Sequence, residues 1–221
     1  MSDTMILGLD DLPPVTPAPE PKRLNVGCGR NIKPGWVNID GTAGPGVDHV
    51  LNLDPGAVWL GLPFDDATFD EFLLSHVLEH IRNVYPLMTE LWRVAKPNAL
   101  MTIRVPYGSS DDAWEDQTHV RAYFLQSWGF LGQPYHWKVG DATYGYKADW
   151  KAEQITLLIA QSILDEMKVD DKVDIGILNK RVRHERNIVR EMVCTLRKVD
   201  PPRPPDRSLV AVPPIKIEAV Q

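Results

Sequence analysis

The run Asn25-Val26-Gly27-Cys28-Gly29 carries the first chemistry in this sequence. Two glycines one residue apart let the backbone turn tightly and approach a ligand, because no Cβ intervenes. Asp40 closes the apolar stretch that begins at Trp36, and a carboxylate at such a strand end accepts hydrogen bonds from both hydroxyls of a ribose. A dinucleotide fingerprint requires a third glycine and an acid about 20 residues on. Here Ile32 occupies the third position and Asp40 arrives too soon, which disfavours a pyrophosphate cradle. No G-x-x-x-x-G-K-[ST] loop occurs, so P-loop chemistry is excluded. A smaller adenosine cofactor without phosphates remains.

His76-Val77-Leu78-Glu79-His80 matches the H-x-x-E-H pattern of inverted zinc proteases. That pattern requires a helix that turns both histidines toward one ion. Here it directly follows an apolar run that reads as a strand, so no metal is expected. The segment Asn179–Arg190 concentrates Lys180, Arg181, Arg183, Arg186 and Arg190. Arg183, Arg186 and Arg190 would share one helical face, as phosphate-contacting residues could. The segment lacks interleaved aromatics, so a solvated face paired with Glu185 and other acids is the favoured reading, and nucleic acid is disfavoured.

These residues need elements to hold them. Short apolar runs at Arg23–Gly27, Trp36–Asp40, Asp48–Asp54, Phe69–Ser75, Ala99–Pro106, Glu153–Ile159 and Glu191–Val199 read as strands. A helix is expected over about Val84–Ala95. There Leu87, Leu91 and Val94 share a face, Asn83 can cap the start, and Lys96-Pro97-Asn98 ends it. A short helix is expected near Arg121–Trp128, and another within Asp174–Arg190. The alternation predicts an α/β doubly wound, mostly parallel, seven-stranded Rossmann-like sheet. In such sheets ligands bind at the carboxyl ends of the strands. Only Arg30–Gly35 separate the glycine loop from the second strand, so the first helix must be shortened to a turn.

The chain has 221 residues, 43% of them hydrophobic, and a formal net charge of −6. That is enough for one sizeable domain, and it is not the profile of a general polyanion binder. No apolar run approaches the ~18 residues of a membrane span, and no secretory signal is visible. Two cysteines, Cys28 and Cys194, cannot build a disulfide framework, so a reducing cytoplasm is the expected compartment. Residues 1–22 and 200–221 are proline-rich and read as extended arms flanking a domain at 23–199. Flexible tails are the favoured reading of both. Docking arms for a protein partner or a sister subunit are the alternative, since IKIEAV near the end carries apolar residues worth burying.

The ordered motifs NVGCG, GWVNID, LNLD, LPFDDATFDEFLLSHVLEHI and ELWRVAKPNALMTIRVP resemble those of class I S-adenosylmethionine-dependent methyltransferases. The likeness is to the small-molecule-type, methyltransferase type 11-like branch, and it covers about Arg23 to Pro106. It implies S-adenosylmethionine as cofactor. Gly27, Cys28 and Gly29 would approach its methionine portion, with Asn25 at the position of the family's usual acid. Asp40 would hold the ribose and Asp54 would lie near the adenine. Leu62-Pro63-Phe64 would shape that region, and Ser75 and His76 would floor the space between cofactor and acceptor.

His119 would be the base for a hydroxyl or amine acceptor, with Arg121 clamping an anionic one and Tyr107, Trp114 and Asp116 lining the pocket. Equally, His119 and Arg121 could merely tie their loop to the helix after it. The expected activity is methyl transfer to a small-molecule, sugar or lipid-linked acceptor. The alternative is an inactive methyltransferase-like binding or assembly module. The departures are Asn25, the missing third glycine, and Lys96-Pro97-Asn98-Ala99 where K-P-G-G is usual.

Overall fold

The computed structural model describes residues 20–54, 61–140, 145–170 and 172–221. Most of the expected N-terminal arm lies outside them. The strands are β1 (Arg23–Val26), β2 (Val37–Asp40), β3 (His49–Val50), β4 (Phe69–Ser75), β5 (Ala95–Pro106), β6 (Trp150–Ala160), β7 (Lys168–Val169), β8 (Lys172–Val173), β9 (Glu191–Lys198) and β10 (Ile215–Val220). Of these, β7 and β8 pair as a separate hairpin. The other eight form one sheet in the order β10-β6-β9-β5-β4-β1-β2-β3. Only β9 runs antiparallel in it, against both β5 and β6. From β1 the chain winds outward through β2 and β3, then returns to the other side of β1 as β4 and β5. The switch in direction therefore lies between β1 and β4, where the glycine loop emerges.

The expected seven strands become eight because the C-terminal segment adds β10. Its alternation I-K-I-E-A-V suits an edge strand, and it pairs in parallel register with β6 from Ile215↔Ile155 to Val220↔Ala160. The proline-rich lead-in is strapped down by Asp149, whose side chain is fully buried. Its carboxylate accepts from Arg203 N, Nε and Nη2 at 2.8–2.9 Å and from Gln133 N at 3.1 Å. Such charge-assisted bonds are what allow a buried carboxylate to persist.

Helix α1 (Val84–Val94) covers the sheet with Val84, Leu87, Met88, Leu91 and Val94, as its spacing requires. Trp150, fully buried, donates from Nε1 to Met88 O at 3.0 Å and locks α1 onto β6. Early in β5, just past α1, Asn98 takes the left-handed conformation, φ 64°, that glycine would supply in K-P-G-G.

The remaining helices are α2 (Asp112–Glu115), α3 (Gln161–Asp165) and α4 (Ile175–His184). No helix forms over Arg121–Gln126. The chain there runs extended, bridging Tyr123 to Tyr107 with Gly108 N donating to Tyr123 O at 2.7 Å, and short 3-10 helices follow at Ser127–Leu131 and Gln133–Lys138. Because α4 stops at His184, Arg183, Arg186 and Arg190 do not share one helical face. Arg181 pairs with Glu185 and Glu166, and Arg186 with Asp111, as a solvated basic segment should. Among the described residues no helix is long and apolar enough to cross a membrane.

Candidate functional site

Gly27 and Gly29 follow β1 with φ of 63° and 50°. The two positions differ in what surrounds them. A Cβ on Gly27 would meet Val77 Cγ2 at 2.5 Å, whereas one on Gly29 would meet nothing within 4 Å. The loop thus packs against the start of the segment after β4 and keeps an open side at Gly29. Asp40, at the end of β2, accepts from Gly29 N at 2.8 Å through Oδ2 and from Thr42 N at 2.9 Å through Oδ1. These bonds fix the carboxylate beside the loop while leaving lone pairs on both oxygens. Cys28 is buried, and burial followed by the charge of Asp40 pushes its thiol up, so it stays neutral and packs.

The stretch between Gly29 and Val37 contains no helix, and side chains hold it instead. Asn25 and Asn38 sit opposite one another in the β1–β2 register, both buried. Asn25 Nδ2 donates to Asn31 O at 2.8 Å and to Asn38 Oδ1 at 2.9 Å. Asn38 Oδ1 also accepts from Lys33 N, and Asn38 Nδ2 donates to Lys33 O and Trp36 O. The departure at Asn25 therefore belongs to the shortened crossover: two amides replace a helix as the scaffold of the loop. Sequence reading did not single out Asn38. Its signal was a polar residue in the middle of a short strand, beside the apolar Ile39.

Asp54 follows the short β3. Its carboxylate accepts from Arg82 N and Asn83 N at 3.2 and 3.4 Å, holding the entry of α1. Asn52 Oδ1 binds Asp54 N, and such local bonds compete with a strand ladder, which explains why β3 is shorter than expected. Arg93 Nη2 binds Leu62 O and Phe64 O, pinning Leu62-Pro63-Phe64 against α1.

On the other side of the switch point, Ser75 ends β4 and His76 is forced to φ 56°. The His76 ring lies between Glu191 Oε1 at 3.5 Å and Glu79 Oε1 at 3.3 Å. The carboxylates of Glu191, then of Glu79, raise its pKa to about 9. Near neutrality it is an imidazolium with no capacity to take another proton. Glu191 also pairs with Arg104. Burial pushes its carboxyl up, but His76 and Arg104 outweigh that and hold it below the usual range.

His119 is drawn toward the same place. Its side chain is 8% exposed, Nδ1 lies 3.2 Å from Ala113 O, and its ring meets that of His80 edge-on at 4.7 Å. Val120 N donates to Glu79 O at 2.8 Å and ties this loop to the turn after β4. Asp116 is fixed by Thr118 and lies 3.9 Å from His119 Nε2. The other expected acceptor residues do not gather around His119. Tyr107 is buried, with its phenol pushed up by burial. Trp114 is exposed and donates to Gly108 O, and Arg121 reaches back to Arg82 O. The H-x-x-E-H run is not a helical motif: His76 is left-handed and only Leu78–His80 make a 3-10 turn.

Beside α1, a cleft of about 970 Å³ is lined by Asn83, Tyr85, Arg121, Phe124, Phe130 and Tyr146, among others. It contains no residue of the glycine loop, but begins at Asn83, whose N–H is held by Asp54. Of the expected acceptor residues only Arg121 lines it.

A family model described as a methyltransferase domain matches residues 57–103, a span that includes β4 and α1. A SAM-dependent methyltransferase from Archaeoglobus fulgidus has a similar structure. The match has a TM-score of 0.53 at 15% identity and covers 80% of this chain and 86% of that one. The YcgJ protein of Bacillus subtilis aligns with a TM-score of 0.46 at 14% identity, covering 81% and 92%. A SAM-dependent methyltransferase from Aquifex aeolicus gives 0.44 at 13%, covering 81% and 82%. No curated protein matches the sequence.

Proposed function

We propose that this chain is a class I S-adenosylmethionine-dependent methyltransferase that transfers a methyl group to a small-molecule acceptor, a reading supported by the family-model match and the structural likeness. The observation that carries the reading is the bond from Gly29 N to Asp40 at the carboxyl ends of β1 and β2. It joins an open, left-handed main-chain turn to a carboxylate with lone pairs to spare, beside the topological switch point.

The residues fit the cofactor of this superfamily. The open side of Gly29 admits a ligand against the main chain. Asp40 suits the ribose hydroxyls, with the main chain of Gly27, Cys28 and Gly29 forming the methionine side, Asn25 holding that loop from beneath and Ser75 the floor. Asp54, committed to α1, acts on the adenine side by fixing the Arg82–Asn83 backbone. When bound, S-adenosylmethionine supplies a methyl group on a positively charged sulfur, open to in-line displacement.

Catalysis then rests largely on holding the acceptor in line. The cleft beside α1 has the size and aromatic lining of a small-molecule site, and Arg121 on its rim suits an anionic group. Loss of the acceptor's proton is assisted at the cluster of Glu79, His80 and His119. Purified protein incubated with S-adenosylmethionine and panels of hydroxylated and amine-bearing small molecules is expected to form S-adenosylhomocysteine only with certain acceptors. Turnover with proteins or RNA but no small molecule would overturn the acceptor assignment. Cofactor binding with no turnover on any acceptor would favour an inactive binding module.

A further inference from the structure

Glu79 is 1% exposed, and neither carboxylate oxygen has a hydrogen-bond partner among the described residues. The His76 imidazolium pairs with Oε1 at 3.3 Å without making a hydrogen bond to it. A buried carboxylate with one neighbouring charge and no hydrogen bond remains costly unless further donors or a second cation complete its surroundings. One donor atom from each of Glu79, His80 and His119 lies within 4.8 Å of the others. We infer that Glu79, His80 and His119 form a binding site for a divalent first-row transition ion such as Zn2+ or Mn2+.

Both histidines are already oriented for this. His80 Nδ1 lies 2.9 Å from Thr118 Oγ1, which donates onward to Asp116 Oδ1 at 2.6 Å. His119 Nδ1 faces Ala113 O at 3.2 Å. A carbonyl can only accept, so His119 carries its proton on Nδ1 and leaves the Nε2 lone pair free. The hydroxyl relay to Asp116 does the same for His80. Outer partners of this kind set the tautomer and aim of metal-ligating imidazoles. Two imidazoles and one carboxylate suit a transition ion, whereas Mg2+ prefers oxygen donors throughout.

The set fixes three positions and leaves others open for an acceptor oxygen, whose proton a bound ion would make easier to lose. That use in methyl transfer rests on the function proposed above; the binding of the ion does not. The sequence shows Glu79-His80 as one half of a zinc-like motif, but the partner of that pair is His119 from beyond β5, not His76.

The test uses the full chain stripped with chelator and titrated with Co2+, without S-adenosylmethionine or acceptor. One equivalent is expected to bind with a visible d–d absorption band, and Zn2+ should displace it and raise the melting temperature. Glu79→Gln keeps the side-chain shape and removes the ligand's charge, and the metal-free variant, which loses only the pairing with His76, should still show a cooperative melting transition. It should bind at least tenfold more weakly and lose the Zn2+-induced rise. His119→Ala should also lose the absorption band. A parent that binds no Co2+, or variants that bind it as the parent does, would overturn the assignment. S-adenosylhomocysteine binding, measured separately, would still report on the cofactor cleft.

Discussion

Replacing Asn25 by the acid usual at that position in the methyltransferases this chain resembles should destabilise the protein. Asn38 Nδ2 donates to Lys33 O and Trp36 O, which fixes Asn38 Oδ1 as an acceptor. Asn25 faces that oxygen and Asn31 O, so it must present its amide nitrogen to both. In Asn25→Asp an ionised carboxylate would point at two oxygens in a site where Asn25 is 2% exposed. Burial and repulsion of this kind raise a carboxylate by about 3 units or more from its ordinary ~3.9, and each unit is worth about 1.4 kcal/mol. Protonation restores one donor of two, so a further ~1 kcal/mol is lost at any pH.

The sign follows from the linkage. The acid's folded pKa is raised, so the charge penalty is absent below the unfolded pKa and grows as pH rises through it, levelling off above the folded pKa. Asn25→Asp should therefore cost about 4–5 kcal/mol at pH 8 and about 2–3 kcal/mol at pH 5 relative to the parent. Urea unfolding of both proteins at the two pH values measures this difference directly, because titrations common to both cancel. A penalty independent of pH, or a variant as stable as the parent, would refute the two-amide scaffold.

The glycine loop yields a paired comparison. Gly29→Ala should cost only the left-handed strain, about 1–2 kcal/mol. Gly27→Ala adds the collision with Val77, a further ~1–3 kcal/mol that Val77→Ala should return, all readable as melting shifts of about 2–4 °C per kcal/mol. Equal shifts at the two glycines would contradict the packing described. Glu191, held low by His76 and Arg104, contributes stability that is present above the ordinary carboxylate range near pH ~4.3 and lost as pH falls through its depressed folded value. Glu191→Gln should lower stability by roughly 1–2 kcal/mol at pH 7 and flatten the acid limb of the stability curve. An unchanged acid limb would show that the pairing is not formed in solution.

The strands flanking the site could be read because they are short apolar runs ending in turn residues, and α1 because its apolar positions repeat at helical spacing. Asp40 and the glycines could be placed at strand ends for the same reason. The scaffold beneath them could not be read this way. Asn25 and Asn38 act through side-chain bonds to the main chain, which have no periodic signature, and their meeting depends on the β1–β2 register. The convergence of His119 on Glu79 and His80 depends on how the loop after β5 folds back, fixed by the bond from Val120 N to Glu79 O. Proline content hid β10, although Ile215, Ile217 and Ala219 alternate as a strand requires. The prolines end before Ile215, so they shape the approach to the strand and not the strand itself.

The central claim is that the turn at Gly27–Gly29 and the carboxylate of Asp40 form one cofactor seat. Isothermal titration of the full chain with S-adenosylhomocysteine tests it most directly. One equivalent should bind, and Asp40→Ala, which removes both the partner of Gly29 N and the ribose acceptor, should weaken binding at least tenfold without unfolding the protein. No heat of binding to the parent, or equal affinity in Asp40→Ala, would contradict the account.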